Sequence, residues 1–248
     1  MRKTAGFFFI LLSIIFLTAP KTFAQIDLDI ESGVVFSGYN DVRIPGDTGT
    51  LFSLSEGLEA DPGVFYRIRI VYNFNERHHL GLLFAPLSIN SSGRLDGDLN
   101  FQEAVFPADT PLEATYKFNS YRLFYRYDFV RKEKIEIGIG VTAKIRDAKI
   151  AVTGNDVQSV KENVGFVPLI HFRLLWNFSD KFSFLLDGDA LAAPQGRAED
   201  VLAALIFNAS EKIELKAGYR FVEGGADNDE VYNFAFINYA SVGAIIHF

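Results

Sequence analysis

The chain of 248 residues has no cysteine and four histidines. Thiol nucleophiles, thiolate metal sites and disulfides are therefore excluded. A general base at neutral pH would have to be His78, His79, His171 or His247. These are scattered, and too few to suggest a zinc site. Carboxylates are more abundant. Asp227-Asn228-Asp229-Glu230 places hard oxygen donors side by side, the kind of ligand Ca²⁺ takes. The stretch lacks the twelve-residue spacing of an EF-hand loop, so no cofactor is expected, a divalent cation here being the one exception. An enzyme processing lipid or peptide would need paired carboxylates, and Asp47, Asp227 and Asp229 are the candidates.

Three charged, turn-rich stretches stand out: Asn40 to Thr50, Pro194 to Asp200, and Glu223 to Asn233. Together they offer one candidate cluster of Arg43, Asp47, Arg197, Glu223, Asp227, Asp229 and Glu230. Arg43 or Arg197 could pair with Asp227, Asp229 or Glu230 and pin the loops into a cap.

Other charges recur at every second position. Arg122, Arg126 and Asp128 alternate with Tyr121, Leu123, Tyr125 and Tyr127. Glu136, Lys144 and Arg146 alternate with Ile135, Ile137, Ile139, Val141 and Ile145. Period two is the signature of a strand with two unlike faces. If the apolar face meets lipid, the charged face must line an interior. A charge at mid-membrane costs about 2–4 kcal/mol for Arg or Lys. That assigns Asp27, Asp29, Glu31, Asp128, Glu136, Asp187, Asp189 and Glu214 to the lumen, with Arg67, Arg69, Arg122, Arg126, Lys144, Arg146, Arg173, Lys216 and Arg220. The signs nearly balance, as a self-neutralising interior requires. A selective pore would favour a ring of one sign. His171 falls on the same inner face and reads as a hydrogen-bonded core histidine.

Ten segments carry this pattern: 26–38, 63–73, 79–90, 117–129, 135–150, 164–177, 182–192, 201–208, 213–222 and 234–248. Segment 201–208 alternates least, and without it the count would be eight. Connections after even-numbered segments are short, and the others are mostly longer. This suits a barrel with short periplasmic turns, long outer loops and both termini in the periplasm. The expected fold is thus an all-β, transmembrane, antiparallel up-and-down barrel. Only a closed barrel lets strands cross a bilayer without orphaned edges.

Residues 1–24 read as a signal peptide. Arg2 and Lys3 precede an uncharged apolar run, and Thr22-Phe23-Ala24 offers a cleavage site. Cleavage would remove three of 24 basic residues and none of 31 acidic ones, taking the formal charge from −7 to −10. Such a balance disfavours nucleic acid as a partner. One domain, 25–248, remains.

The last fifteen residues have no charge and no proline and end on Phe248, with Ile246, Ala244, Val242 and Ala240 on the same face. This strand resembles the terminal targeting strand of bacterial outer-membrane β-barrels. The resemblance implies outer-membrane location, recognition of Phe248 by the insertion machinery, and lipid as the surrounding partner. The chain also resembles a group of small Gram-negative outer-membrane barrels, most specifically in Asn40–Thr50, Glu223–Asn233 and the terminal strand. That likeness implies a shared barrel and brings no catalytic residue. Omptin proteases, also ten-stranded, use acidic pairs and a His near the outer rim. None of the four histidines is expected there. Outer-membrane lipid A deacylases use a His-Ser pair, and no matching His-x-Ser motif is present. The expectation is a monomeric, non-enzymatic barrel with a charge-filled lumen, serving envelope structure or surface interaction. A narrow solute channel and a rim-located enzyme are the alternatives.

Overall fold

The computed structural model describes residues 25–194 and 196–248. The expected signal peptide lies outside the described residues. These form fifteen strands: β1 (Gln25–Arg43), β2 (Phe52–Ser53), β3 (Leu58–Ala60), β4 (Gly63–Asn73), β5 (His78–Ala85), β6 (Ser88–Gly93), β7 (Leu99–Phe101), β8 (Ala104–Phe106), β9 (Leu112–Lys132), β10 (Ile135–Gly154), β11 (Val157–Asn177), β12 (Phe182–Ala193), β13 (Gly196–Ser210), β14 (Ile213–Asp227) and β15 (Tyr232–His247).

Ten staves close into an antiparallel barrel. The third is β5 continued by β6, both laid along β9 in one register. Each of β9 to β15 pairs with the next, and β15 returns to β1. The terminal strand is therefore the seam, with Leu28 opposite Ile246 and Ile30 opposite Ala244. The eight-stave alternative is excluded, because β13 pairs fully with both β12 and β14.

The alternation decides the faces as expected. Val64, Leu82, Val141, Phe166, Leu205 and Val242 point outward and are exposed, while Arg67, Arg122, Lys144, Asp187 and Lys216 point inward and are buried. Aromatic side chains gather at two levels of the outer face. Trp176, Phe178, Phe182 and Phe207 form a chain near the short turns, with successive centroids 5.6, 6.4 and 5.3 Å apart. Tyr39, Phe236 and Phe221 lie toward the long loops, 5.8 Å apart at each step. An apolar belt between two aromatic girdles is a surface suited to lipid.

The structure corrects two expectations. First, the strands run further toward the loops than the sequence pattern suggests. β9 begins at Leu112, β11 at Val157 and β13 at Gly196, and β14 ends at Asp227. Above the belt an outward residue meets water, so Glu113 and Thr115 replace apolar residues and the lipid-type alternation vanishes. Second, the lumen is not charged along its whole length. Its loop-end half is filled by an apolar core. Val42, Ile44, Phe52, Leu54, Leu58, Leu99, Phe101 and Phe106 pack there with inward residues of the staves such as Leu112, Tyr116, Ile150 and Val152. The small β7–β8 hairpin supplies three of these residues. Segments that read as outer loops thus fold back as a plug.

Candidate functional site

Below the plug lies a layer of side chains that reach across the barrel. Asp200 is its centre. Its Oδ2 accepts from Arg67 Nη2 at 2.8 Å and from Arg122 Nη2 at 2.5 Å, and its Oδ1 accepts from Arg220 Nη1 at 2.5 Å. Arg220 also grips Glu31 with two bonds, 2.7 and 2.8 Å. Glu31 accepts from Lys216 at 3.1 Å, and Lys216 lies 2.5 Å from Asp29. Arg122 turns its other nitrogen to Asp189 at 2.6 Å. Asp189 is completed by Thr142 Oγ1 at 2.5 Å and His171 Nδ1 at 3.0 Å. Arg220 and Asp200 are each only 2% exposed. Charges this deep persist only when paired and hydrogen-bonded, and removing one partner typically costs about 3–5 kcal/mol.

Toward the short turns the lumen opens into a cavity of about 1150 Å³. Its lining includes Asp29, Arg69, Arg126, Asp128, Glu136, Arg173, Asp187 and Glu214, together with His79 and His247. The pairs are local: Arg69 to Asp187 at 2.8 Å, Arg126 to Asp128 at 2.7 Å, and Arg173 to Glu136 at 3.6 Å. His79 meets Asp128 at 2.8 Å, and His247 meets Asp27 at 2.7 Å. His171, wedged between Asp189 and the Phe124 ring at 4.7 Å, is sealed from solvent. The structure brings most of the lumen residues expected from alternation together, whereas Arg146 donates to Asn163 apart from this network. Asp200 is not among those expected, because Pro194 and Gly196 make its segment read as a loop. The signal is nonetheless present in Asp200, Leu202, Ala204 and Ile206, which share one face.

The expected rim cluster divides into separate contacts. Arg197 holds Glu223 bidentately, at 2.7 and 2.9 Å, and Tyr39 donates to Glu223 at 2.5 Å. Arg197 also covers the Phe234 ring at 4.9 Å. Arg43 lies over the Tyr232 ring at 5.2 Å and pairs with no acid among the described residues. Glu230 lies 3.7 Å from Lys161. The carboxylates of Asp47, Asp227 and Asp229 make no side-chain contact with a base among the described residues. No group of three or more His, Asp or Glu residues arranged to hold a metal occurs among them either. First and last loops do meet, as closure requires. Gly46 N–H donates to the Asp229 carbonyl at 2.9 Å. The approach is so close that a Cβ on Gly46 would collide with the Asn228 carbonyl oxygen.

With ten staves, an apolar belt, paired girdles and a polar interior in place, the architecture can be compared with known ones. No protein-family model matches the chain, and no curated protein matches it in sequence. Solved structures do. The outer-membrane protease OmpT from Escherichia coli aligns over 93% of this chain and 99% of its own, at 10% identity and a TM-score of 0.54. The fold is that of an outer-membrane β-barrel. An outer-membrane channel from Pseudomonas putida F1 covers 93% of this chain and 100% of its own, at 10% identity and a TM-score of 0.43. The attachment invasion locus protein Ail of Yersinia pestis covers 90% and 99%, at 12% identity and 0.42. At such identities the likeness concerns the fold alone.

Proposed function

We propose that the chain is a closed, non-enzymatic barrel of the bacterial outer membrane. It stands with its short turns in the periplasm and its loops outside, and serves envelope structure or surface interaction. One observation carries this reading: the tube is blocked twice. The Asp200 layer closes it with buried ion pairs, and the Phe101 plug closes it with packed hydrocarbon. A conducting path would need pore-lining charges in contact with water. The histidines also support it. OmpT is a protease by name, yet His171 here is walled in and His78, His79 and His247 sit at the short-turn end, far from the loops. The exposure of Phe248 supports its proposed role as the residue read by the insertion machinery. The test is conductance of the refolded barrel in planar bilayers. Folding is verified first by heat-modifiable gel mobility, and no single-channel steps are expected. Regular steps would establish the channel reading instead.

A further inference from the structure

The cavity at the short-turn end is blind, because the Asp200 layer closes it from within. A space of about 1150 Å³ with one mouth can hold a ligand without passing it. Its wall carries nine carboxylates against five arginine or lysine side chains, a formal balance of −4 with both histidines neutral. A concave wall with an excess of one sign focuses its field and concentrates the counter-ion. Such a wall selects a cation.

Three features narrow its chemistry. The acids are not gathered around a point: among the described residues no three of His, Asp and Glu are placed to hold a metal ion. They lie in tiers instead, with Asp29 and Asp187 deepest, Asp27 and Glu214 nearer the mouth, and Asp180 on a turn. From Asp27 to Asp29 the step is two residues, roughly 7 Å at the rise of a strand. The second feature is that hydrocarbon fills the intervals. Val71 stands opposite Asp27 and Ile245 opposite Glu214, while Leu185, two residues nearer the turn than Asp187, faces Leu175. All four line the cavity. Carboxylates interleaved with apolar side chains match ammonium groups joined by short methylene spacers. The third feature is a spare acceptor at the deep end. The Asp187 side chain is 1% exposed, and its Oδ1 accepts from Arg69. Its Oδ2 accepts no hydrogen bond among the described residues, with His171 Nε2 lying 3.9 Å away. A buried acceptor left unmet is costly, and an ammonium group arriving from the cavity would meet it. The other deep acids are engaged: Lys216 reaches Asp29, and His247 lies between Asp27 and Glu214.

We propose that this cavity binds a linear aliphatic polyamine. One ammonium group would lie at Asp187, the methylene spacers along Val71, Leu175 and Leu185, and the remaining ammonium groups among the acids nearer the mouth. This goes beyond the closed-barrel reading, which concerns passage along the axis. That the mouth faces the periplasm rests on that reading, and binding itself does not.

The test is isothermal titration calorimetry of spermidine into the full mature chain folded in micelles of an uncharged detergent. The control is hexaamminecobalt(III), which has the same charge and no methylene spacers. Folding is scored separately by heat-modifiable mobility, and conductance is not read. One-to-one binding is expected, with spermidine about tenfold tighter than the cobalt complex because only spermidine buries methylene groups. Asp187→Asn keeps an acceptor for Arg69 and should weaken spermidine about tenfold, as loss of a hydrogen bond to a charged group does. Val71→Ser should weaken spermidine severalfold and leave the cobalt complex unchanged. Equal affinity for the two cations would overturn the proposal by showing a diffuse counter-ion effect, and this comparison needs no variant to fold. Unchanged spermidine affinity in both folded variants would overturn it as well.

Discussion

The two halves of the lumen solve the same problem with opposite chemistry. Beneath the plug, long charged side chains span the interior and hydrogen-bond one another, and toward the short turns they line an open cavity in local pairs. Toward the loops, loop segments fold inward and fill the space with Phe, Leu and Ile. The charged half is built entirely from stave residues whose positions the backbone dictates. The apolar half depends on connecting segments that must first find their place. A buried ion network is intolerant of losing one member, because the partners stay buried and uncompensated. An apolar core loses contacts in proportion to what is cut away, and can open locally.

That contrast can be broken or sharpened by experiment. The largest effect is expected for Asp200→Ala, which leaves Arg67, Arg122 and Arg220 without their shared acceptor. Urea titration of the refolded barrel should show a loss of about 3–5 kcal/mol in one cooperative transition. A loss below about 1 kcal/mol would mean that water already compensates the arginines. Phe101→Ala removes the centre of the plug and should cost about 3 kcal/mol locally. Hydrogen exchange should accelerate in β7, β8 and the 52–58 segment, while β9 to β15 keep their protection. Uniform acceleration would show that both halves unfold as one unit.

At the rim, Glu223→Gln cuts the contact with Arg197 and Tyr39 without touching either half. A change of about 0.5–1 kcal/mol is expected from the same titration, as for a partly exposed ion pair. The smallest effect concerns Lys117 and Asp147, 2.9 Å apart on the outside of the barrel above the belt. The Lys117 hydrogen bond holds the Asp147 carboxyl below its usual value. The pair's small contribution is therefore fully present above the ordinary carboxylate range, and is lost as pH falls through the lowered value. Carboxyl chemical shifts followed by NMR between neutral pH and strong acid should show the Asp147 midpoint rising in Lys117→Ala. An unmoved midpoint would dissolve the pair as an electrostatic contact.

Much of this architecture is legible in the amino-acid sequence. Gly63 to Asn73 is bounded to the residue, since its alternation of Tyr66, Ile68 and Ile70 with Arg67 and Arg69 is complete. β5–β6 reads as one stave, and along β9 it is one. The plug is hidden because Phe52, Leu54, Leu58, Leu99, Phe101 and Phe106 stand among turn residues without a period. Nothing local tells an inward-folding loop from an exposed one. The rim acids read as a cluster because they are neighbours in the chain. In space they separate, and Arg197 takes Glu223 from the adjacent stave instead.

By itself the sequence determined which side chains face lipid and which face inward, since period two is a property of each strand's own backbone and needs no partner. It also determined that the terminal strand would serve as the seam. The tertiary structure alone decided which charges meet. Arg67 finds Asp200 across 133 positions and Arg220 finds Glu31 across 189. Those pairings depend on closure of the ten staves around a lumen narrow enough for arginines from opposite walls to reach one carboxylate.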